Sequence, residues 1–185
     1  MSNPHLSPLT TSQSWSDLPL TEDTIKQVEQ IKAWVRQSLL INHESAEKKL
    51  KPGYRSLFYG PQGSGKKLMA ALIGKEFDKP VYKIDLSEMV SKYIGETEKS
   101  LDVIFDGAEG KEWILFFDEA DALFGKRTSV KDSHDKYSNQ EVSYLLQRIE
   151  DYHGLIILTT NMKNNIDDAF IRRFNSVIYF PPPVA

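Results

Sequence analysis

The sequence predicts an α/β domain, a mostly parallel sheet flanked by helices, and three observations carry the prediction. Strand-like and helix-like segments alternate along most of the 185 residues, as in strand–helix–strand crossovers. Several strand segments are unbroken apolar runs, the pattern of strands covered on both faces. One strand passes through a glycine-rich turn directly into a helix. With 40% hydrophobic and 26% charged residues, the chain has material for one sizeable core. A formal net charge of -3 argues against a dedicated nucleic-acid binder, which carries a basic excess. There is no cysteine, so disulfides and thiolate metal sites are excluded, in keeping with a reducing compartment. No apolar run approaches the roughly 18 residues of a membrane span, and no basic segment precedes an apolar one at the N-terminus. A cytoplasmic protein without membrane contact is the expectation.

Residues 1–19 are rich in Ser, Thr and Pro and read as a flexible leader, with the folded domain over 20–183. Thr21, followed by Glu22 and Asp23, starts a helix. Ile25, Val28, Ile31, Val35 and Leu39 recur at steps of three and four and carry its apolar face to about Leu40. Lys51-Pro52-Gly53 is a turn into a first strand, Tyr54–Tyr59. After the glycine-rich turn, the run from Leu68 to Ile73 opens a second helix, and Val81–Asp85 reads as a strand. Glu98–Ala108 is a helix with Leu101, Ile104 and Phe105 on one face. Trp113–Phe117 is a continuous apolar strand ending in Asp118-Glu119. Lys126–Tyr137 is polar and reads as a mobile loop; Gln140–Glu150 is a helix with Val142, Leu145, Leu146 and Ile149 inward. Leu155–Thr160 is a buried strand closed by Asn161, and Pro181-Pro182-Pro183 stops the last strand, Val177–Phe180. There is no internal repeat.

Gly60-Pro61-Gln62-Gly63-Ser64-Gly65-Lys66 fits the G-x-x-x-x-G-K pattern, in the strand–loop–helix context that makes it a phosphate-binding loop. Glycines let the backbone curl so that N–H groups point at the phosphates of a nucleotide. Lys66 reaches the terminal phosphates, and the helix N-terminus, running on through Lys67 and Leu68, adds partial positive charge. The pattern ordinarily continues with Ser or Thr, whose hydroxyl holds Mg²⁺; here that residue is Lys67. Asp118 and Glu119 close a buried strand and so stand at the sheet's carboxyl edge, beside the phosphate loop. Asp118 is the candidate metal carboxylate, and Glu119 the group that polarises a water for attack on the γ-phosphate. Asn161 closes another strand, where an amide can bond that water or the phosphate, although Asn is also an ordinary turn residue. Ser133-His134-Asp135 holds the residue types of a hydrolytic triad, but adjacent residues do not make that geometry. His5, His43 and His153 show no metal-ligand spacing.

The chain resembles the large nucleotide-binding subdomain of an AAA+ ATPase of the aromatic pore-loop type, from about Trp15 to Pro183. Four motifs carry the resemblance: Gly60–Lys66 (Walker A), Phe116–Asp121 (Walker B), Thr159-Thr160-Asn161 (sensor 1), and Asp168–Phe174, similar to the arginine-finger segment. The resemblance implies that ATP or ADP is the cofactor, with Mg²⁺, and that Glu119 and Asn161 serve hydrolysis. It also implies that Arg172 and Arg173 reach into a neighbouring subunit's site, the alternative being that they neutralise nearby acids such as Asp167 and Asp168. It implies a homo-oligomeric ring, a hexamer in the full-length protein, and a polypeptide substrate gripped by the loop Lys92-Tyr93-Ile94-Gly95. Trp15–Asp23 is similar to the segment that lies near the adenine.

Two departures bear on activity. An ammonium has three donors and no lone pair, so Lys67 cannot replace the metal-binding hydroxyl. Either Lys67 turns outward, leaving Mg²⁺ held by water, Asp118 and the phosphates, or its charge partly substitutes for the metal. The second departure is that family members continue into a helical lid, which is absent here; residues 184–185 stand where it would begin. The leading expectation is an ATPase that works in a ring to remodel or unfold protein partners, with turnover impaired by Lys67. The alternative is a non-hydrolysing, nucleotide-binding assembly scaffold. A small-molecule kinase would share the loop but does not require Glu119, Asn161 or the Arg172-Arg173 pair.

Overall fold

The computed structural model describes residues 5–44, 52–92, 96–124 and 133–183. Its elements are β1 (Leu6–Pro8), α1 (Glu22–Glu44), β2 (Tyr54–Tyr59), α2 (Lys66–Glu76), β3 (Val81–Asp85), α3 (Leu86–Lys92) and α4 (Thr97–Ala108). They continue with β4 (Ile114–Asp118), α5 (Asp121–Phe124), α6 (Ser133–Asp151), β5 (Leu155–Thr160), α7 (Asp168–Ile171) and β6 (Ser176–Tyr179). The strands form one sheet in the order β1-β3-β4-β5-β2-β6. Every neighbouring pair is parallel except β1, which runs antiparallel to β3.

Successive strand residues point to opposite faces, and the central strands are apolar on both. In β4, Ile114 and Phe116 join a core with Val28, Ile31 and Val35 of α1 and with Met69, Leu72 and Ile73 of α2. Leu115 and Phe117 join the other core, with Leu101, Ile104 and Phe105 of α4 and Leu145 and Ile149 of α6. The helices therefore sandwich the sheet, and both cores hold fully buried phenylalanines: Phe58, Phe116 and Phe180 in one, Phe105 and Phe117 in the other. Truncating one such ring to alanine costs about 3–5 kcal/mol. That is enough to threaten a domain of this size.

The flexible-leader expectation for residues 1–19 is corrected from Leu6 to Leu18. Leu6–Pro8 pairs with β3, and the Leu9 N–H extends the ladder to the Val81 carbonyl at 2.8 Å. Leu18 is buried in the same core as α1 and α2. A three-residue strand is too short to show a period, and its pairing is long-range, so Ser/Thr/Pro composition was a poor guide. α1 runs past Leu40 to Glu44 because neither Gly nor Pro stands before Pro52. α6 starts at Ser133, so residues 133–137 of the expected mobile loop are helical, again without a breaker; residues 126–132 of that loop lie outside the described residues. The short α3, α5 and α7 carry too few turns to have been legible as periodicity. β6 covers 176–179, one residue earlier than expected.

Candidate functional site

The loop after β2 is shaped by its glycines. Gly60 (φ 149°) donates its N–H to the Thr160 carbonyl at 3.2 Å, tying the loop to β5. A Cβ at Gly60 would lie 2.0 Å from the Phe180 carbonyl oxygen, so no side chain fits there. Gly65 (φ 94°) is the N-cap of α2 in the left-handed region and supplies no side-chain cap. The first N–H groups of α2, at Lys66, Lys67 and Leu68, thus stand at an uncapped helix N-terminus, an anion-binding arrangement. Lys66 is buried, and its ammonium donates to the carbonyls of Gly60 (2.6 Å) and Pro61 (2.8 Å) and to Ser64 Oγ (3.3 Å). Burial pushes the Lys66 ammonium below its ordinary value, and Asp118 and Asp121 partly offset this. An incoming phosphate oxygen competes with those carbonyls for the same three donors. Leu18 covers the far side of the turn: its Cδ1 lies 2.3 Å from where a Cβ at Gly65 would stand.

Asp118 ends β4, and β5 lies between β4 and the loop strand β2. The acids' strand is therefore not hydrogen-bonded to the loop strand, with β5 between them, yet Asp118 still stands within reach of the first turn of α2. Thr159 Oγ1 donates to Asp118 Oδ1 at 2.6 Å, and the Glu119 N–H approaches the same oxygen at 3.2 Å. The other oxygen, Oδ2, faces cations: Lys67 Nζ at 3.3 Å and Lys83 Nζ at 3.7 Å. Lys83 also lies 3.8 Å from Asp85 Oδ2. Burial pushes the Asp85 carboxyl up. Hydrogen bonds from Ser87 Oγ and the Glu88 N–H, with Lys83 alongside, outweigh it and hold Asp85 below the usual carboxylate value. Of the two postures open to Lys67, the structure shows the one directed at Asp118. A divalent magnesium ion takes oxygen ligands in near-octahedral geometry at about 2.0–2.1 Å. Here the hydroxyl is missing and two ammonium groups flank the carboxylate oxygen that would bind it, so these residues do not fit that ion.

Glu119 is exposed and holds φ 58°, an unfavourable backbone for a residue with a Cβ. The Ala120 N–H donates to the Thr159 carbonyl at 2.8 Å, which anchors the bend that turns Glu119 out of the strand. Asp121 Oδ1, just beyond, is buried with no hydrogen-bond partner among the described residues. Asn161 is exposed directly after β5, and Thr160 pairs in register with Tyr59, so Asn161 and Gly60 share one edge of the sheet. Arg172 caps the end of α7, Arg173 follows it, and both are exposed. Arg173 Nη1 pairs with Glu150 at 2.7 Å, not with Asp167 or Asp168; Asp167 instead caps α7 by accepting the Ala169 N–H. Tyr93, Ile94 and Gly95 of the expected pore loop lie outside the described residues, and of Lys92 only its place at the end of α3 is described. The sequence reading missed Lys83. Its signal was a lysine inside a strand, two residues before Asp85, so that both share one face.

A glycine loop closing on a buried lysine, at the carboxyl edge of a mostly parallel sheet with paired acids two strands along, defines a nucleotide-binding P-loop protein. A family model described as ATPase family associated with various cellular activities (AAA) matches residues 56–182, and the chain belongs to that family. Cell division protein C of Sulfolobus acidocaldarius is 35% identical over 136 residues, covering 69% of this chain and 36% of that protein. Proteasome-activating nucleotidase 2 of Haloferax volcanii is 32% identical over 165 residues, covering 85% of this chain and 40% of its own. The FIGL-1 AAA domain solved in complex with ADP aligns with a TM-score of 0.72 at 23% identity, over 98% of this chain and 59% of that one. At that identity the likeness speaks to the fold, the AAA+ large subdomain. The chain spans about two-fifths or less of the length of these curated relatives. No helix among the described residues is long and apolar enough to cross a membrane.

Proposed function

We propose that this chain is the nucleotide-binding module of an ATP-driven, ring-forming remodeller of protein partners, with ATP or ADP held on the Gly60–Lys66 loop. The observation that carries the reading is the loop itself: a buried lysine and an uncapped helix N-terminus converge where phosphates would sit. In this reading Glu119 polarises the attacking water and Asn161 bonds the water or the γ-phosphate. Of the two arginines, Arg172 is the better candidate to reach a neighbouring subunit, since Arg173 is held by Glu150. Polypeptide as the substrate class, through Tyr93, rests on the family resemblance and on a relative named as a proteasome-activating nucleotidase.

A second reading is favoured by one observation. Lys67 Nζ lies 3.3 Å from Asp118 Oδ2, which supports a nucleotide-binding scaffold whose turnover is impaired. Calorimetric titration of ATP into the chain and into Lys66→Ala tests the shared part: binding that depends on Lys66 is expected, and binding indifferent to it would sink both readings. ATP turnover then separates them. The working-ATPase reading expects phosphate release by the unaltered chain, whereas the scaffold reading expects release only after Lys67→Thr restores the hydroxyl.

A further inference from the structure

We propose that Lys67 and Lys83 together form a built-in cationic site on Asp118, so that this chain takes a nucleoside triphosphate as the free anion rather than as its magnesium complex. The inference rests on the nucleotide-binding reading above and specifies the form of ligand that the site accepts.

The register places the second lysine. β3 and β4 align as Val81↔Ile114, Lys83↔Phe116 and Asp85↔Asp118. Aligned residues of neighbouring strands share a face, so Lys83, Asp85, Phe116 and Asp118 all point to one side. Phe116 packs into the core that includes α2, so that side carries the helix that follows the phosphate loop. Lys67 reaches Asp118 Oδ2 from α2, and Lys83 reaches the same oxygen from within the sheet. The opposite oxygen already accepts the Thr159 hydroxyl and the Glu119 N–H. The carboxylate is thus oriented with one oxygen toward backbone and hydroxyl donors, and the other toward two cations.

Two ammonium groups carry the formal charge of one divalent cation. They supply it as N–H donors on tethered stems, which can bond phosphate oxygens but cannot serve as ligands to a metal. Lys67, with about half its side chain in solvent (54%), is able to swing from Asp118 to a phosphate. Lys83 is more enclosed, at 25%, and remains to balance Asp118 and Asp85 when Lys67 moves. A magnesium ion arriving with the nucleotide would meet like charge from both lysines, and the hydroxyl that normally completes its shell is absent. Replacing Lys67 alone therefore leaves half of the obstacle in place.

The test is ATP affinity by calorimetry, in EDTA and in millimolar Mg²⁺, for the unaltered chain, Lys67→Thr, Lys83→Met and the double variant. Millimolar Mg²⁺ ties up most of the ATP as its complex, so the apparent affinity of the unaltered chain is expected to fall by about tenfold or more on going from EDTA to Mg²⁺. In EDTA, Lys83→Met is expected to weaken ATP binding about threefold and the double variant at least about tenfold. With Mg²⁺ the double variant is expected to recover that loss, more fully than Lys67→Thr. Binding of Mn²⁺ to the ATP complex, read by electron paramagnetic resonance, should appear in the double variant and not in the unaltered chain. An affinity that Mg²⁺ leaves unchanged or tightens in the unaltered chain overturns the inference while leaving nucleotide binding in place. That comparison needs no variant to fold. Absence of ATP binding in both conditions overturns the nucleotide-binding reading itself, and the inference with it.

Discussion

Lys66 and Lys67 are neighbours in the chain, yet they belong to two differently built regions. Lys66 is buried and folds back on carbonyls five and six residues before it. Its surroundings are the glycine loop, made by one short stretch of sequence. Lys67 is half exposed and reaches Asp118 at the end of another strand, where it meets Lys83 from a third. The loop is a local device, in which residue types and spacing specify the backbone and the backbone makes the site. The carboxylate centre is a tertiary device, assembled from side chains that meet only because β3, β4 and α2 share one face. A local device fails when any of its parts is changed. A tertiary one can exchange its cation for a protein ammonium and keep the fold.

That contrast can be broken by measurement, beginning with the loop. Lys66→Ala is expected to weaken ATP binding by about 100-fold or more, because it removes a charge-assisted donor where several phosphate charges gather. A change of only a few-fold in calorimetry would place the loop on a par with the carboxylate centre. Gly60→Ala comes next: with φ 149° and the Phe180 carbonyl oxygen 2.0 Å from the added Cβ, more than about 2 kcal/mol of stability should be lost in urea denaturation.

The carboxylate centre is expected to be more forgiving. Asp118→Asn keeps an acceptor for Thr159, loses an ion pair to the half-exposed Lys67 and leaves Lys83 with Asp85, so folding stability should change by less than about 1 kcal/mol. A loss of several kcal/mol in the same denaturation series would show that this region holds the fold together as the loop does. The smallest expected effect is with acid. Asp85 titrates below the usual carboxylate value in the folded protein, so its contribution is complete above the unfolded value, near 4, and is lost as pH falls through the folded one. Thermal melts of Asp85→Asn should therefore show a shallower loss of melting temperature below about pH 4 than the unaltered chain. Parallel curves would remove Asp85 from the network.

The parts of the site that were legible are those written in contiguous residues. Gly60–Lys66 could be read from spacing, the apolar runs Trp113–Phe117 and Leu155–Thr160 marked buried strands, and the acids after Phe117 marked a strand's carboxyl end. Lys83 was visible as a residue but not as a participant. Nothing near it in sequence says that Asp85 aligns with Asp118. The leader misled for the same reason: Leu6 and Leu18 look like isolated apolar residues among Ser, Thr and Pro until β3 and Gly65 are placed beside them.

Sequence by itself therefore determined the alternating α/β layout and the phosphate loop. Both depend on local periodicity, glycine backbone freedom and the start of a helix, which act over a few residues. Only the tertiary structure decided that β5 separates the strand of Asp118 from the loop strand and that Lys67, half in solvent, reaches Asp118. It alone also decided that a second lysine completes the charge and that the leader joins the sheet. Those outcomes follow from strand order and register, which arise when distant segments compete to bury their apolar faces together.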